Sequence, residues 1–268
     1  MIFVLEVAFY SNSPEIQIEL QFQLPIWIGN LTLTMSKTSP KVCIVTGASK
    51  GIGLATARRF ASEGFHVVVC GRKPENLDAA AASIGDSDSV LSIAGDVGSH
   101  DKRKEIIEAT LKKFGRLDVL VNNAGSAPLG EIESIDDSTF EDVVNTNIRA
   151  IFSLTQLAWP ILKGQGGGSI MNISSLAAID PFPGFSIYGA SKAWLETFTK
   201  AMAAEGTDHS IRVCCVRPGA VETDLLRGLF PDFPADQCVS PQDIANKVWD
   251  CVTDADQHPS GEAFTVSK

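Results

Sequence analysis

Between Asn172 and Trp194 the sequence reads NISSLAAIDPFPGFSIYGASKAW, and three of its side chains have the chemistry of a proton-transfer set. Tyr188 is one of only two tyrosines in the chain, and Lys192 follows it by four positions. On a helix, residues four apart share a face, so phenol and ammonium can point at one reacting centre. An ammonium beside a phenol favours the phenolate, which would let Tyr188 exchange a proton at working pH. Ser175 lies thirteen positions before Tyr188, at the end of an apolar run, where its hydroxyl can hold a carbonyl oxygen. Taken singly, each has an ordinary reading: a half-buried packing tyrosine, a solvated helix lysine, a strand-end serine. They become a catalytic set only if a scaffold brings them together at a ligand site.

From Lys41 onward the chain alternates short apolar runs with amphipathic stretches, the pattern of parallel strands joined by crossover helices. Strands are expected at 42–46 (VCIVT), 66–70 (HVVVC), 90–94 (VLSIA), 117–123 (LDVLVNN), 169–174 (SIMNIS), 211–216 (IRVCCV) and 262–266 (EAFTV). Their near-continuous Val, Ile and Cys content suits strands covered on both faces. Helical patterns occupy Ile52–Ser62, Lys102–Phe114, Phe140–Leu162 and Gly189–Glu205. The expected architecture is α/β, a three-layer doubly wound Rossmann fold with a mainly parallel seven-stranded sheet. One domain spans 41–268, preceded by a tail over 1–40. In such sheets ligands bind at the carboxyl ends of the strands, where Ser175 falls.

The first expected strand runs into TGASKGIG, Thr46 to Gly53, and then a helix. Glycines there permit a sharp turn and close approach of a pyrophosphate, which the helix N-terminus attracts through its unpaired N–H groups. This spacing resembles the short-chain dehydrogenase/reductase family, and further motifs follow in that family's order. Asp96 in GDV, Asn122 to Gly125 (NNAG), Asn147 in VVNTNIRAIF, Ser175 with the Y-x-x-x-K of Tyr188 and Lys192, and RPGAVET from Arg217 to Thr223 all match. The resemblance covers residues 41–266.

The resemblance implies roles for these residues. Tyr188 gives a proton to a carbonyl oxygen as hydride arrives, and Ser175 orients that oxygen. Lys192 binds the nicotinamide ribose and lowers the proton affinity of the tyrosine. Asn147 anchors a water that passes protons between Lys192 and solvent. Cofactor contacts are implied for Gly47, Ser49, Lys50, Gly51, Ile52, Gly53, Arg72, Asp96, Val97, Asn123, Ala124, Gly125, Pro218, Gly219, Val221 and Thr223, besides Tyr188 and Lys192. Asp96 would meet the adenine, and Thr223 the nicotinamide amide.

The cofactor is expected to be NADP(H). An NAD site usually carries an acidic residue about twenty positions after the glycine turn, for the ribose 2′-hydroxyl. Here Gly71 stands at that place, followed by Arg72 and Lys73. Arg72 can grip a 2′-phosphate, with Lys50 approaching from the other side. Leu129, Ala177, Phe182, Phe185, Leu225, Leu226, Phe230 and Phe233 should line the substrate pocket, which favours a small hydrophobic ketone or aldehyde, or the matching alcohol. For the phenylalanines the alternative stays open that they pack a short lid, the segment from Thr223 to Ser240, onto the body. A second candidate activity is that of the 3-oxoacyl-(acyl-carrier-protein) reductases. The stretches KGQGGGS (Lys163–Ser169) and EGTDHS (Glu205–Ser210) offer little positive charge to an acidic carrier protein, which weighs against it. A non-catalytic NADP-binding regulator is the reading of a different class, although such proteins usually lose the tyrosine or lysine that this chain keeps.

With 44% hydrophobic and 20% charged residues, the 268-residue chain has an ordinary globular composition. Its formal net charge of −10 disfavours nucleic acid and anionic membranes as partners. The six cysteines form no C-x-x-C and are expected to be reduced core residues, as in a cytoplasmic protein. The four histidines have no ligand spacing, so no metal site is expected. Apolar residues such as Phe152, Trp159, Trp194 and Phe198 lie on more than one face of their helices, which is consistent with the helix-pairing homodimer or homotetramer that the family resemblance implies. The tail lacks a basic start and an unbroken apolar run, so it does not read as a secretory signal. The biological start is expected at Met35; the alternative is an apolar arm, with a strand suggested by the alternation in IQIELQFQL.

Overall fold

The computed structural model describes residues 39–268 in full, together with three short strands before them. Those strands, β1 (Val7–Phe9), β2 (Gln17–Leu20) and β3 (Leu33–Thr34), form an antiparallel sheet in which β2 pairs with both neighbours. The alternation read as a possible strand contains β2, whereas Met35 lies outside the described residues. The unit Lys41–Lys268 is separate from the unit Met1–Pro40.

The second unit is built on β4 (Val42–Thr46), β5 (His66–Gly71), β6 (Val90–Ala94), β7 (Val119–Asn122), β8 (Gly168–Ile173), β9 (Ile211–Pro218) and β10 (Ala263–Val266). They lie in the order β10-β9-β8-β7-β4-β5-β6, and every pairing is parallel. Alternate residues point to opposite faces of a strand, and both faces here are buried. On β4, Cys43 and Val45 join one hydrophobic cluster with Phe60, Ile244 and Val248, whereas Val42 and Ile44 join another with Ile106, Leu154 and Leu162. The first cluster is closed by α1 (Gly51–Ser62), α2 (Pro74–Ala82) and α8 (Pro241–Thr253), the second by α3 (His100–Phe114) and α5 (Ala150–Gly164). This makes three layers. All six cysteines are free and buried, and burial pushes the Cys70 and Cys215 thiols up to about 12.

The pattern over Phe140–Leu162 resolves into α4 (Asp137–Val143), a π-helical turn (Val144–Arg149) and α5. The Gly189–Glu205 pattern lies within α6 (Ser186–Gly206). The order of the sheet reverses between β4 and β7, and the crevice beyond their carboxyl ends is the expected ligand site.

Candidate active site

The turn after β4 depends on backbone freedom. Gly47 (φ +65°) and Gly51 (φ +57°) are in the left-handed region, where a side chain would be strained. A Cβ on Gly53 would lie 2.4 Å from the Gly47 carbonyl oxygen and 2.5 Å from Asn123 Nδ2, so helix and strand can meet this closely only through glycine. Asn123 fixes the far side: its Nδ2 donates to the Thr46 carbonyl at 2.8 Å, and its backbone N–H donates to Thr46 Oγ1 at 3.0 Å. No side chain caps α1, and its first turn carries no acidic residue. The N–H groups and dipole of this helix therefore suit a pyrophosphate, and the chain fits a nicotinamide dinucleotide.

One cleft of about 950 Å³ runs from this turn across the strand ends. Gly47, Ser49, Lys50, Gly51, Ile52, Arg72, Asp96, Val97, Asn123, Ala124 and Gly125 line one part of it. Ser175, Tyr188, Lys192, Pro218, Gly219, Val221 and Thr223 line the other. Gly53 lies beneath the turn rather than on the wall. Asn147, fully buried, stands behind it in the π-helical turn, a deformation that recurs at functional sites. Both Nδ2 hydrogens of Asn147 are used, on the Ser126 carbonyl (2.8 Å) and Ser191 Oγ (2.9 Å), and its Oδ1 accepts from the Ser126 N–H at 2.8 Å. A water would meet only the remaining lone pair of that amide.

Tyr188 and Lys192 project from α6 toward the end of β8. Lys192 is 4% exposed; its Nζ donates to the Ile173 carbonyl at 2.8 Å and lies 5.7 Å from the Tyr188 ring centroid. Burial lowers its pKa to about 8. Burial also pushes the Tyr188 phenol up, while a hydrogen bond with the Ser175 side chain acts the other way. Removal of the phenol from water is the larger of these two effects. The Ser175 oxygen also accepts from the Ala177 N–H at 3.2 Å.

Ala177, Phe182, Phe185, Leu225, Leu226, Phe230 and Phe233 line the substrate end. Leu129 does not; it packs at Gly184, where the Gly130 N–H bonds to the Gly184 carbonyl at 3.0 Å, and this holds it off the wall. The phenylalanines both pack together and face the cleft. Phe182 lies 4.5 Å from Phe185 and 5.7 Å from Phe230 between ring centroids, and Phe185 is 5.0 Å from Tyr188. Helix α7 (Asp224–Leu229) forms the lid over this end, capped by Thr223, whose Oγ1 accepts from the Leu226 N–H at 3.3 Å.

Two features of the wall do not follow from the motifs. Asp180 lines the cleft beside the aromatics. Asp224 pairs with Lys50 at 2.8 Å, which links the glycine turn to the lid and gives Lys50 a different partner from the expected 2′-phosphate. Arg72 is exposed at the end of β5. A Cβ on Gly71 would sit 3.6 Å from Ser49 Oγ and 3.3 Å from Leu77 Cδ1, so this position is tight but not strained.

A doubly wound parallel sheet with a glycine turn and a Ser-Tyr-Lys cluster at its carboxyl edge defines a Rossmann-type oxidoreductase. The sequence pattern of the family described as short chain dehydrogenase matches residues 41–233. The chain is 34% identical over 238 residues to dehydrogenase/reductase SDR family member 4 of Homo sapiens, covering 84% of this chain and 86% of that protein. It also resembles the structure of a 3-ketoacyl-(acyl-carrier-protein) reductase from Brucella melitensis complexed with NADH (32% identity, TM-score 0.78, 85% and 96% of the two chains). L-sorbose reductase from Gluconobacter frateurii, complexed with NADPH and L-sorbose, is similar too (31% identity, TM-score 0.77, 85% and 95%). The chain belongs to the short-chain dehydrogenase/reductase family, enzymes acting on CH–OH or carbonyl groups with NAD(P). Among the described residues, no helix is long and apolar enough to cross a membrane.

Proposed function

We propose that the protein reduces a hydrophobic ketone or aldehyde to an alcohol with NADPH, or runs the reverse reaction. The observation that carries this reading is the convergence of Tyr188, Lys192 and Ser175 on the cleft reached by the uncapped N-terminus of α1. The dinucleotide supplies the hydride. Ser175 holds the carbonyl oxygen, Tyr188 gives it a proton, and Lys192 binds the nicotinamide ribose and relays the proton. A lysine pKa near 8 suits that exchange at working pH. The apolar, aromatic substrate end favours substrates with an alkyl or aryl group.

NADP(H) preference rests on Gly71, Arg72 and Lys73, with no carboxylate at the end of β5 to repel a 2′-phosphate. Asn147 braces the site through Ser126 and Ser191. Phe152, 48% exposed, packs beside the stacked Trp194–Phe198 pair (ring centroids 6.3 Å from Phe198), an apolar face suited to a second copy of the chain. A cytoplasmic location fits six unpaired cysteines.

The similarity to the Brucella melitensis protein favours testing 3-oxoacyl substrates as a second reading. NADPH and NADH oxidation should be followed with short, aromatic and 3-oxoacyl carbonyl compounds. Turnover of an aromatic or alkyl ketone with NADPH is expected. Cofactor binding without turnover of any compound would favour the regulator, and selective turnover of 3-oxoacyl thioesters the carrier-protein reaction.

A further inference from the structure

Helix α6 contacts the end of β8 along a single face. Lys192, Glu196 and Thr199 follow one another at helical spacing and meet Ile173, Ser174 and Asn172, with Tyr188 one turn before them on the same face. Lys192 Nζ donates to the Ile173 carbonyl at 2.8 Å, and Tyr188 and Ser175 both line the cleft. Ser174 Oγ donates to Glu196 Oε1 at 2.8 Å, and Asn172 Nδ2 donates to Thr199 Oγ1 at 2.8 Å. The helix that carries the candidate proton donor is thus fastened to three consecutive residues, Asn172 to Ser174, of the strand end that leads into Ser175.

Glu196 differs from the other members because it reaches a third element. Arg217, at the end of β9, grips its carboxylate with both arms of the fork: Nε to Oε1 at 2.8 Å and Nη2 to Oε2 at 2.5 Å. The two side chains are only 11% and 16% exposed. Arg217 Nη1 continues to Thr265 Oγ1 on β10 at 3.1 Å. Pro218 and Gly219, on the cleft wall, follow Arg217 directly, and Ser175 follows Ser174. One carboxylate therefore ties α6 to the exits of β8 and β9. A bidentate guanidinium–carboxylate pair fixes direction as well as distance. Buried on this scale, it acts as a rigid joint rather than a screened surface contact.

We propose that Glu196 and Arg217 are positioning residues, which set the Tyr188–Lys192 face of α6 in register with Ser175 and the Pro218–Gly219 segment. This rests on the reading of Tyr188, Lys192 and Ser175 as the reacting set. Misplacing a reacting group by about 1 Å is sufficient to slow a reaction about a hundredfold. The glycine turn, Arg72 and Asp96 lie outside the network, so the adenosine half of the cofactor site is unaffected.

The double variant Glu196→Gln/Arg217→Gln removes both charges and leaves no lone buried ion. With the ketone that the wild type reduces fastest, its single-turnover hydride-transfer rate is expected to fall about ten- to a hundredfold. The rate is scored per NADPH-binding site, and the Kd for NADPH should move less than about threefold. Glu196→Asp keeps the charge but is too short to span Ser174 and Arg217 together, so it should lose rate as well. A purely structural pair would lower the melting temperature and leave the rate per site at the wild-type value; that result in the double variant, or a wild-type rate in Glu196→Asp, overturns the assignment. Tyr188→Phe is run in parallel. Retained turnover there overturns the underlying reading and this one together, whereas loss there with an unchanged rate in the double variant overturns only the positioning role.

Discussion

The two halves of the cleft are made in opposite ways. The half beside β4, β5 and β6 is specified by missing side chains: Gly47, Gly51 and Gly71 leave backbone facing the site, Gly53 beneath them lets the turn close, and the charges there, Lys50, Arg72 and Asp96, are exposed. The half beside β7, β8 and β9 is specified by side chains that are present, buried and mutually bonded, among them Asn147, Lys192 and Glu196. A pyrophosphate needs close approach and N–H groups, which backbone supplies. Proton transfer needs fixed geometry and groups moved from their solution pKa values, which burial supplies. On the proposed function, single exposed substitutions in the first half should change cofactor preference, while changes in the second should act on the rate.

The largest expected effect tests the second half. Tyr188→Phe keeps the ring beside Phe185 but removes the proton, and kcat should fall about 10²–10⁴-fold with NADPH affinity preserved. Stopped-flow absorbance and NADPH titration would measure the two separately. A near-normal kcat, or equal losses in kcat and affinity, would break the distinction between the halves.

Lys192 sharpens the same contrast through stability. Its pKa falls from an ordinary 10.5 to about 8 in the folded protein. Between these values the unfolded chain holds the proton that the folded chain has released. Wild-type stability therefore gains a contribution as pH rises through that window, and the full burial penalty applies below pH 8. In Lys192→Met the contribution is absent. The stability difference, wild type minus variant, should grow by about 2 kcal/mol between pH 7.5 and pH 10, read from urea unfolding. Parallel stability curves would show that Lys192 is not burdened by burial.

How far these features are legible in the sequence follows from their range. The strands read from Val, Ile and Cys runs coincide with β4 to β10 within a residue or two, because parallel strands buried on both faces leave little choice of composition. The glycine turn and the Y-x-x-x-K face are local spacings. The proton affinity of Tyr188 is not, because it depends on how much tertiary structure covers the ring. The Glu196–Arg217 joint is also hidden, since its members are 21 positions apart and each alone reads as a surface charge. Lys50 and Asp224, 174 positions apart, meet only because the lid returns over the first turn. Leu129 shows the converse: an apolar residue after NNAG looks like pocket lining, but the structure packs it at Gly184, beside the Gly130–Gly184 hydrogen bond.

The smallest expected effect probes the half made of backbone. Arg72 is exposed at the end of β5 and follows Gly71, whose missing side chain leaves room beside Ser49. A guanidinium there gains a charge-assisted contact with a 2′-phosphate and nothing comparable with a 2′-hydroxyl. Arg72→Ala should therefore raise KM for NADPH about tenfold and leave KM for NADH nearly unchanged, with kcat unaffected for both; a charge-assisted bond of roughly 1.5 kcal/mol gives that factor. Lys50 does not double this effect, because Asp224 already holds it at 2.8 Å, and Lys50→Ala should change the NADPH preference less than Arg72→Ala does. Gly71→Asp works in the opposite direction. Its φ is not in the left-handed region, so the backbone accepts a side chain, and Leu77 must yield only a few tenths of an ångström from the 3.3 Å contact. The new carboxylate would accept hydrogen bonds from a ribose 2′-hydroxyl and repel a phosphate, moving preference toward NADH. Initial-rate kinetics with both cofactors decide the matter: a wild-type enzyme with the higher kcat/KM for NADH, or an Arg72→Ala variant that loses both cofactors equally, would remove the basis for the NADP(H) assignment.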